Sequence, residues 1–446
     1  MTLPQSPKPE WTGQSLLHVM EELFPIMRSI TGPGVRDSLK ILQTIAPLTV
    51  HEVASGTAVL DWTVPEEWKF NEAWIENDTG RRILDCKASN LHVVNFSIPV
   101  DRTISRKELL PHLHSIKERP STVPYRTNYY SEQWGFCLSY NDLQKLGAGP
   151  FHVYIDASRQ PGVLNYGELY IPGESQKEIL VSTHICHPQL ANDNLSGMVL
   201  AASLAAFLQG SRPALSWRFI FVPGTIGSIT WLSLNPQVTT SIVGGLVLTG
   251  LGDNSDFNWK STLDADRWID SLVQQVLSEC VPDQHTILPF TPYGYDERQY
   301  CSPGFKLPVG RLTRAVHGTF SEYHSSDDNM SFVNADKIQE SLTLLQRIAT
   351  AANNDVIYRN LSPFAEPQLG KRDLYSMLGA NTDPGSFQMA LLWLLNQSDG
   401  KKSLSRIAKR SGISMPELHD AAQILVQHNL LKPVRHASEE YELSDH

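Results

Sequence analysis

Apolar positions along the chain change their period several times, and each change marks a different kind of structure. From 14 to 46 they recur at helical spacing, with Leu16, Leu17, Met20, Leu23 and Phe24 on one face and Val35, Leu39, Leu42 and Ala46 on another. Thr31-Gly32-Pro33-Gly34 separates the two, because glycine favours turns and proline cannot continue a helix. From about 48 to 168 short β-like runs take over, at 57–62, 74–76, 91–96 and 151–155, separated by Pro, Gly, Asn and Asp. That stretch is rich in Trp and Tyr and reads as a mostly β inserted subdomain.

Between 168 and 350 strands and helices alternate. The runs 179–183, 217–222, 241–248 and 309–312 are short and apolar, as buried strands are, whereas 197–208, 268–277 and about 334–352 are helical. The alternation predicts an α/β fold, a three-layer α/β/α sandwich around a largely parallel sheet, whose ligands collect at the carboxyl ends of the strands. The tail carries three helical segments, 387–395, 404–411 and 415–428, with the turn Ser411-Gly412-Ile413-Ser414 between the last two and an apolar exit at Leu430 and Leu431. That is the layout of a winged helix-turn-helix. The expected organisation is N-terminal helices of the core at 14–47, a β-rich insertion at 48–168, the main core at 169–360, a polar Pro-containing linker at 362–370 and the winged helix at 371–446.

Composition narrows the class. At ~100–200 residues per domain, 446 residues suit two to four domains, and 19% charged with 9% aromatic residues exclude wholesale disorder and fibrous repeats. Thirty-seven Lys and Arg against 47 Asp and Glu give a net charge of -10, which argues against a protein that coats nucleic acid. Five widely spaced cysteines, with no C-x-x-C pair, predict reduced thiols rather than a disulfide framework. Met1 to Gly13 holds prolines and charges and no apolar segment of signal-peptide length, and no run approaches the ~18 apolar residues of a membrane helix. A cytoplasmic protein with no membrane partner is expected.

The densest chemistry follows the run 179–183: His184-Ile185-Cys186-His187-Pro188, then Ala191-Asn192-Asp193-Asn194-Leu195-Ser196-Gly197 opening a helix. Imidazole and carboxylate suit zinc, and a strand end can point several of them at one volume. The same residues can also cap the strand, with Asp193 as the N-cap of the next helix. Further clusters lie at later strand ends: Gly250-Leu251-Gly252-Asp253, Tyr293-Gly294-Tyr295-Asp296-Glu297-Arg298 and Glu322-Tyr323-His324-Ser325-Ser326-Asp327. Each alone reads equally as a turn Asp, a surface ion pair or a helix cap. Four in one α/β region suit a site assembled across a sheet.

An apolar strand ending in His, Asp-Asn-x-Ser-Gly opening a helix, an Asp after a later strand and a closing Tyr-His-Ser/Thr-x-x-Asp segment resemble the bacterial aminopeptidase-type zinc exopeptidases. The strings His-Ile-Cys-His-Pro, Asn-Asp-Asn-Leu-Ser-Gly, Thr-Ile-Gly-Ser, Tyr-Gly-x-Asp-Glu-Arg-Gln-Tyr and Tyr-His-Ser-Ser look closer still to an aminopeptidase-like family with a β-rich insertion and a C-terminal winged helix. The resemblance covers nearly the whole chain. It implies one or two Zn²⁺ ions held by His184 or its rival His187, with Asp193, Asp253 and His324, and an activated water that hydrolyses an amide. The substrate implied is a small amide, peptide or aminoacyl conjugate, including a sugar-linked amide. Arg298 could bind a substrate carboxylate, and Tyr323 could wall its pocket.

Two positions depart from the exopeptidase pattern. Cys186 stands where an Asp would orient the first imidazole, and Pro223-Gly224-Thr225-Ile226-Gly227 replaces the Glu pair that supplies the general base. Glu297 or Asp296 could take over proton transfer, and a scaffold that has lost turnover is the alternative that Gly224 motivates. A ligand-sensing DNA-binding regulator is a third reading. Between Asp399 and Arg435 seven Lys and Arg face three acids, yet the segment 415–428 holds Glu417 and Asp420 and no Lys or Arg, so packing or protein contact is favoured over a major groove. A homo-oligomer is compatible with all three readings.

Overall fold

The computed structural model describes residues 11–374 and 384–439; residues 1–10, 375–383 and 440–446, on which parts of the readings for 1–13 and 371–446 fall, lie outside the described residues. Eight strands form the central sheet: β1 Thr49–Ala54, β2 Val163–Ile171, β3 Glu178–His184, β4 Ser216–Val222, β5 Ile242–Leu248, β6 Phe257–Lys260, β7 His285–Leu288 and β8 Val309–Thr313. Their spatial order is β1-β2-β4-β3-β5-β8-β6-β7. The four middle strands β4, β3, β5 and β8 are parallel, and β1, β2 and β6 join antiparallel toward the edges. Being buried on both faces, β3, β4 and β5 read in sequence as continuous apolar runs rather than as alternation.

Side chains of one sheet face, including Ile179, Val181, Trp217, Phe219 and Leu246, pack against the helices Gly13–Leu23, Gly197–Leu208, Trp268–Cys280 and Ala335–Asn354. Those of the other face, including Leu180, Ile220, Val222 and Val247, pack against the helix Ile226–Leu234 and the β-rich subdomain. There are three layers, but the second outer layer is part helix and part sheet rather than helical throughout. The β-rich layer holds a four-stranded antiparallel sheet in the order Arg82–Asp85, Glu67–Glu76, Phe151–Gln160 and Val100–Ile104. Within the 48–168 stretch, β1 and the start of β2 belong to the main sheet, so the subdomain is an excursion between two adjacent strands of the core. The expected strand at 91–96 is instead a short turn, Asn90–His92.

The tail folds as a small three-stranded sheet, Asp399–Ser403, Val356–Asn360 and Leu431–His436, with helices Pro384–Gln397, Leu404–Ser411 and Met415–Gln427. Its central strand follows the long core helix directly, so this module begins at 356, ahead of the expected linker. Buried Asp355 joins the two parts, accepting from Trp268 Nε1 at 2.9 Å, Ser405 N at 2.9 Å and Ser405 Oγ at 2.7 Å. Among the described residues no helix is long and apolar enough to cross a membrane.

Candidate metal centre and active site

β3 ends at His184, and the chain turns through Cys186 and His187 into the wide turn Ala191–Ser196 before the helix Gly197–Leu208. Gly197 is required here: a Cβ would lie 2.4 Å from Leu248 O, so only glycine lets the helix start against the neighbouring strand end. Arg28 Nε donates to His187 O at 2.8 Å and fixes the turn from beneath. Asp193 is not a helix cap. Buried Asp328 accepts from Asn192 N at 2.6 Å and Asp193 N at 2.9 Å, which aims the Asp193 side chain at the histidines.

His184, His187 and Asp193 each offer a ligand atom, and these atoms lie within 4.8 Å of one another. Both rival histidines are therefore present at one point. His324 brings Nε2 to 2.9 Å from Asp193 Oδ2, yet neither atom finds a hydrogen-bond partner. Both ring nitrogens of His184 are likewise buried and unpartnered. Buried polar atoms are nearly always satisfied, so unpartnered atoms of His184 and His324 meeting the unpartnered Asp193 Oδ2 fit a cation. Burial depresses the basicity of His184 and carries His187 well below the ordinary range, keeping both rings neutral, the form that binds metal. Burial alone would raise the Asp193 carboxyl, but the His324 imidazole beside it outweighs this and holds it below the usual carboxylate range.

His324 itself has a left-handed backbone, φ 51°, unusual for a non-glycine residue, and its carbonyl accepts from Tyr125 N at 2.8 Å. Tyr323 stacks on it with ring centroids 4.0 Å apart. Tyr125 packs edge-on to both His187 and His324, each at 5.2 Å, so the insertion supplies a wall of the site. Tyr295 stacks on His184 at 5.0 Å and donates its hydroxyl to Asp193 Oδ1.

Asp253 does not join this cluster. Its oxygens accept from Asn192 Nδ2 at 2.7 Å, Ser255 N at 2.7 Å and Ala315 N at 3.2 Å, so it braces the turn that presents Asp193. Glu297 is also engaged elsewhere: its Oε1 receives Lys260 Nζ at 2.9 Å and Arg311 Nη1 at 3.3 Å. Cys186 is buried beside Gly224 O, and burial pushes its thiol up to about 12, so it stays protonated.

Asp296 lies in the cavity that the histidines line. This cavity of about 150 Å³ is lined by His184, His187, Gly224, Asp296, His317 and His324, among others. A Cβ on Gly224 would stand 3.2 Å from His184 Cβ and 3.6 and 3.9 Å from the Asp296 carboxylate oxygens. The Asp296 carboxylate, from a later loop, thus lies beside residue 224. Ser228 Oγ donates to Asp296 Oδ1 at 2.6 Å, Oδ2 has no partner, and burial raises the carboxyl to about 7. His317 was not singled out from sequence. Arg311 Nη1, which can only donate, lies 2.9 Å from His317 Nδ1, so Nδ1 accepts and the proton sits on Nε2. Burial lowers His317 to about 4, so it is a neutral donor facing the cavity.

A parallel-centred sheet with a histidine and carboxylate cluster at its strand ends, plus a winged helix, defines an aminopeptidase-like α/β protein. The chain belongs to the family described as "Domain of unknown function (DUF4910)", whose model matches residues 17–355, and residues 356–433 match a winged helix-turn-helix family. A Clostridium acetobutylicum protein named "Putative polysaccharide biosynthesis protein with aminopeptidase-like domain" is 46% identical over 424 residues, 95% of this chain and 97% of that one. A crystal structure described as a putative peptidase from Clostridium acetobutylicum superposes with TM-score 0.89 at 43% identity, covering 95% of this chain and 96% of that one. BSAP, a zinc aminopeptidase from Bacillus subtilis, shares the fold at TM-score 0.55 and 14% identity, over 77% of this chain and 95% of that one.

Proposed function

We propose that the chain is a zinc-dependent, aminopeptidase-like hydrolase that cleaves an amide or peptide bond of a small substrate. The observation that carries this is the convergence of unpartnered donors from His184, His324 and Asp193, with His187 beside them, next to a buried carboxylate at Asp296. His184, His187, Asp193 and His324 would hold zinc, which when bound polarises a substrate carbonyl and acidifies water. Asp296 Oδ2 accepts the proton of the attacking water and returns it to the leaving amine, while Ser228 holds Oδ1 and fixes the carboxylate's orientation. His317 Nε2 donates to the carbonyl oxygen as negative charge develops there, with Arg311 holding the tautomer. Tyr323 walls the cavity over His324.

The presence of Asp296 beside Gly224 favours a working hydrolase over a scaffold without a base. The name of the Clostridium relative, which mentions polysaccharide biosynthesis, supports an amide in a sugar conjugate as the substrate class. A cytoplasmic setting agrees with five unpaired cysteines. The test is a panel of aminoacyl amides, dipeptides and N-acylated amino sugars with zinc-loaded protein. Turnover of at least one, lowered about 10²–10⁴-fold in Asp296→Asn with zinc content unchanged, is the expected result. Equal turnover in the variant would remove Asp296 from the mechanism.

A further inference from the structure

Beside the metal cavity lies a second, larger one of about 510 Å³, lined by Trp62, Tyr129, Tyr130, Gly224, Thr225 and Arg298, among others. The two share Gly224 and Thr225, so a substrate held at the reacting centre extends naturally from one into the other. The volume is within the usual range for a small-molecule site.

Two features of the lining point to one kind of ligand. Trp62 and Tyr130 are 43% and 61% exposed, with ring centroids 5.3 Å apart and planes tilted by 58°. Large aromatic rings left this open offer flat apolar faces on which a ring can lie. Tyr129 is fixed behind them by a hydroxyl contact of 2.8 Å to Tyr125 and an edge-on contact to Phe96. The second feature is Arg298. The sequence pairs it with Glu297, but Glu297 is held by Lys260 and Arg311, and the buried Arg298 Nε has no hydrogen-bond partner. Arg298 feels the nearby Asp296 carboxylate, but its Nε is still without a hydrogen-bond partner, and the guanidinium fork matches a ligand carboxylate.

We infer that this second cavity is a substrate subsite for a ring that bears a carboxylate, stacked on Trp62 and Tyr130 and paired with Arg298. Calling it a subsite rests on the hydrolase reading; the binding itself does not, and can be measured without zinc or turnover. The ring has two chemical sources, a sugar acid or an aromatic amino acid with a free carboxylate. The glycosyl source draws support from the exposed, tilted aromatic pair, and the amino-acid source from the peptidase-like fold.

The full-length chain is titrated by calorimetry or ligand-observed NMR with D-glucuronate and with N-acetyl-L-phenylalanine. Their uncharged counterparts, D-glucose and N-acetyl-L-phenylalaninamide, are titrated alongside. At least one acid binds about tenfold or more tightly than its uncharged counterpart, the usual gain from a charge-assisted hydrogen bond. Arg298→Gln erases that preference, and Trp62→Ala weakens the acid and its counterpart together. Trp62 is exposed, so its removal leaves the fold intact, as an unchanged thermal melt checks. The acid that wins names the source of the ring. Equal binding of each acid and its counterpart, or a preference that survives Arg298→Gln, overturns the inference. If the acids bind as expected while the substrate panel gives no turnover, the hydrolase reading fails and this site stands.

Discussion

At the scale of single residues, two buried carboxyls, Asp296 and Asp328, sit in different settings. Asp296 is raised to about 7 by burial, against ~3.9 for an unfolded Asp. As a base it must be ionised, so turnover climbs with pH as the carboxylate forms. Stability runs the other way. The unfolded chain gives up this proton first, so the group's stabilising contribution is complete below ~4 and is lost as pH rises through about 7. Asp296→Asn removes both slopes, which a pH series of rates and of thermal melts will show; a wild-type profile unchanged in the variant contradicts the assignment. Asp328 acts through the backbone of Asn192 and Asp193. Asp328→Ala therefore lowers zinc affinity by about 10–100-fold, measured by chelator competition, with the ligands themselves untouched. His184, Asp193 and His324 were legible in sequence because each sits in a local string of polar residues at a strand end. The different settings of Asp296 and Glu297 were not, since Glu297 is held by Lys260 and Arg311, far away along the chain. The tautomer of His317 depends in the same way on Arg311.

At the scale of elements, the loops that close the site come from two distant segments clasped together. Arg119 pairs with Asp327, Ser326 N donates to Val123 O at 2.8 Å, and Thr122 Oγ1 donates to Asp327 at 2.8 Å. The insertion was legible as β-rich, but its contact with the site was not, because Tyr125 lies in an irregular loop with no periodic pattern. The helix Met415–Gln427 was legible almost to the residue, since Ser414 caps it and its apolar stripe is regular. Its start, the part that reads bases in helix-turn-helix proteins, is turned toward the α/β core: Met415 N donates to Glu279 Oε1 at 2.8 Å. Ser414, Met415, His419 and Asp420 line a cavity of about 720 Å³ against Glu279 and Arg347. The module is thus placed to brace the core, and random duplex DNA should show no anisotropy shift even at low salt. A salt-sensitive shift would revive the regulator reading.

For the whole molecule, the parallel centre of the sheet was legible because β3, β4 and β5 are uniformly apolar. Its outer part was not: β6 and β7 are four residues each, carry polar residues and are half of a pattern too short to have a period. The sheet, the insertion and the late loops together do what no single segment does, which is to gather His184, His187, Asp193 and His324, with ring nitrogens of His184 and His324 and Oδ2 of Asp193 left unsatisfied. Metal content tests that gathering. Elemental analysis of the purified wild type should find stoichiometric zinc, and His187→Ala and Asp193→Asn, each with an unchanged melt in chelator, should have lost it. No bound metal in the wild type after zinc reconstitution, or zinc retained in both variants, would contradict the account.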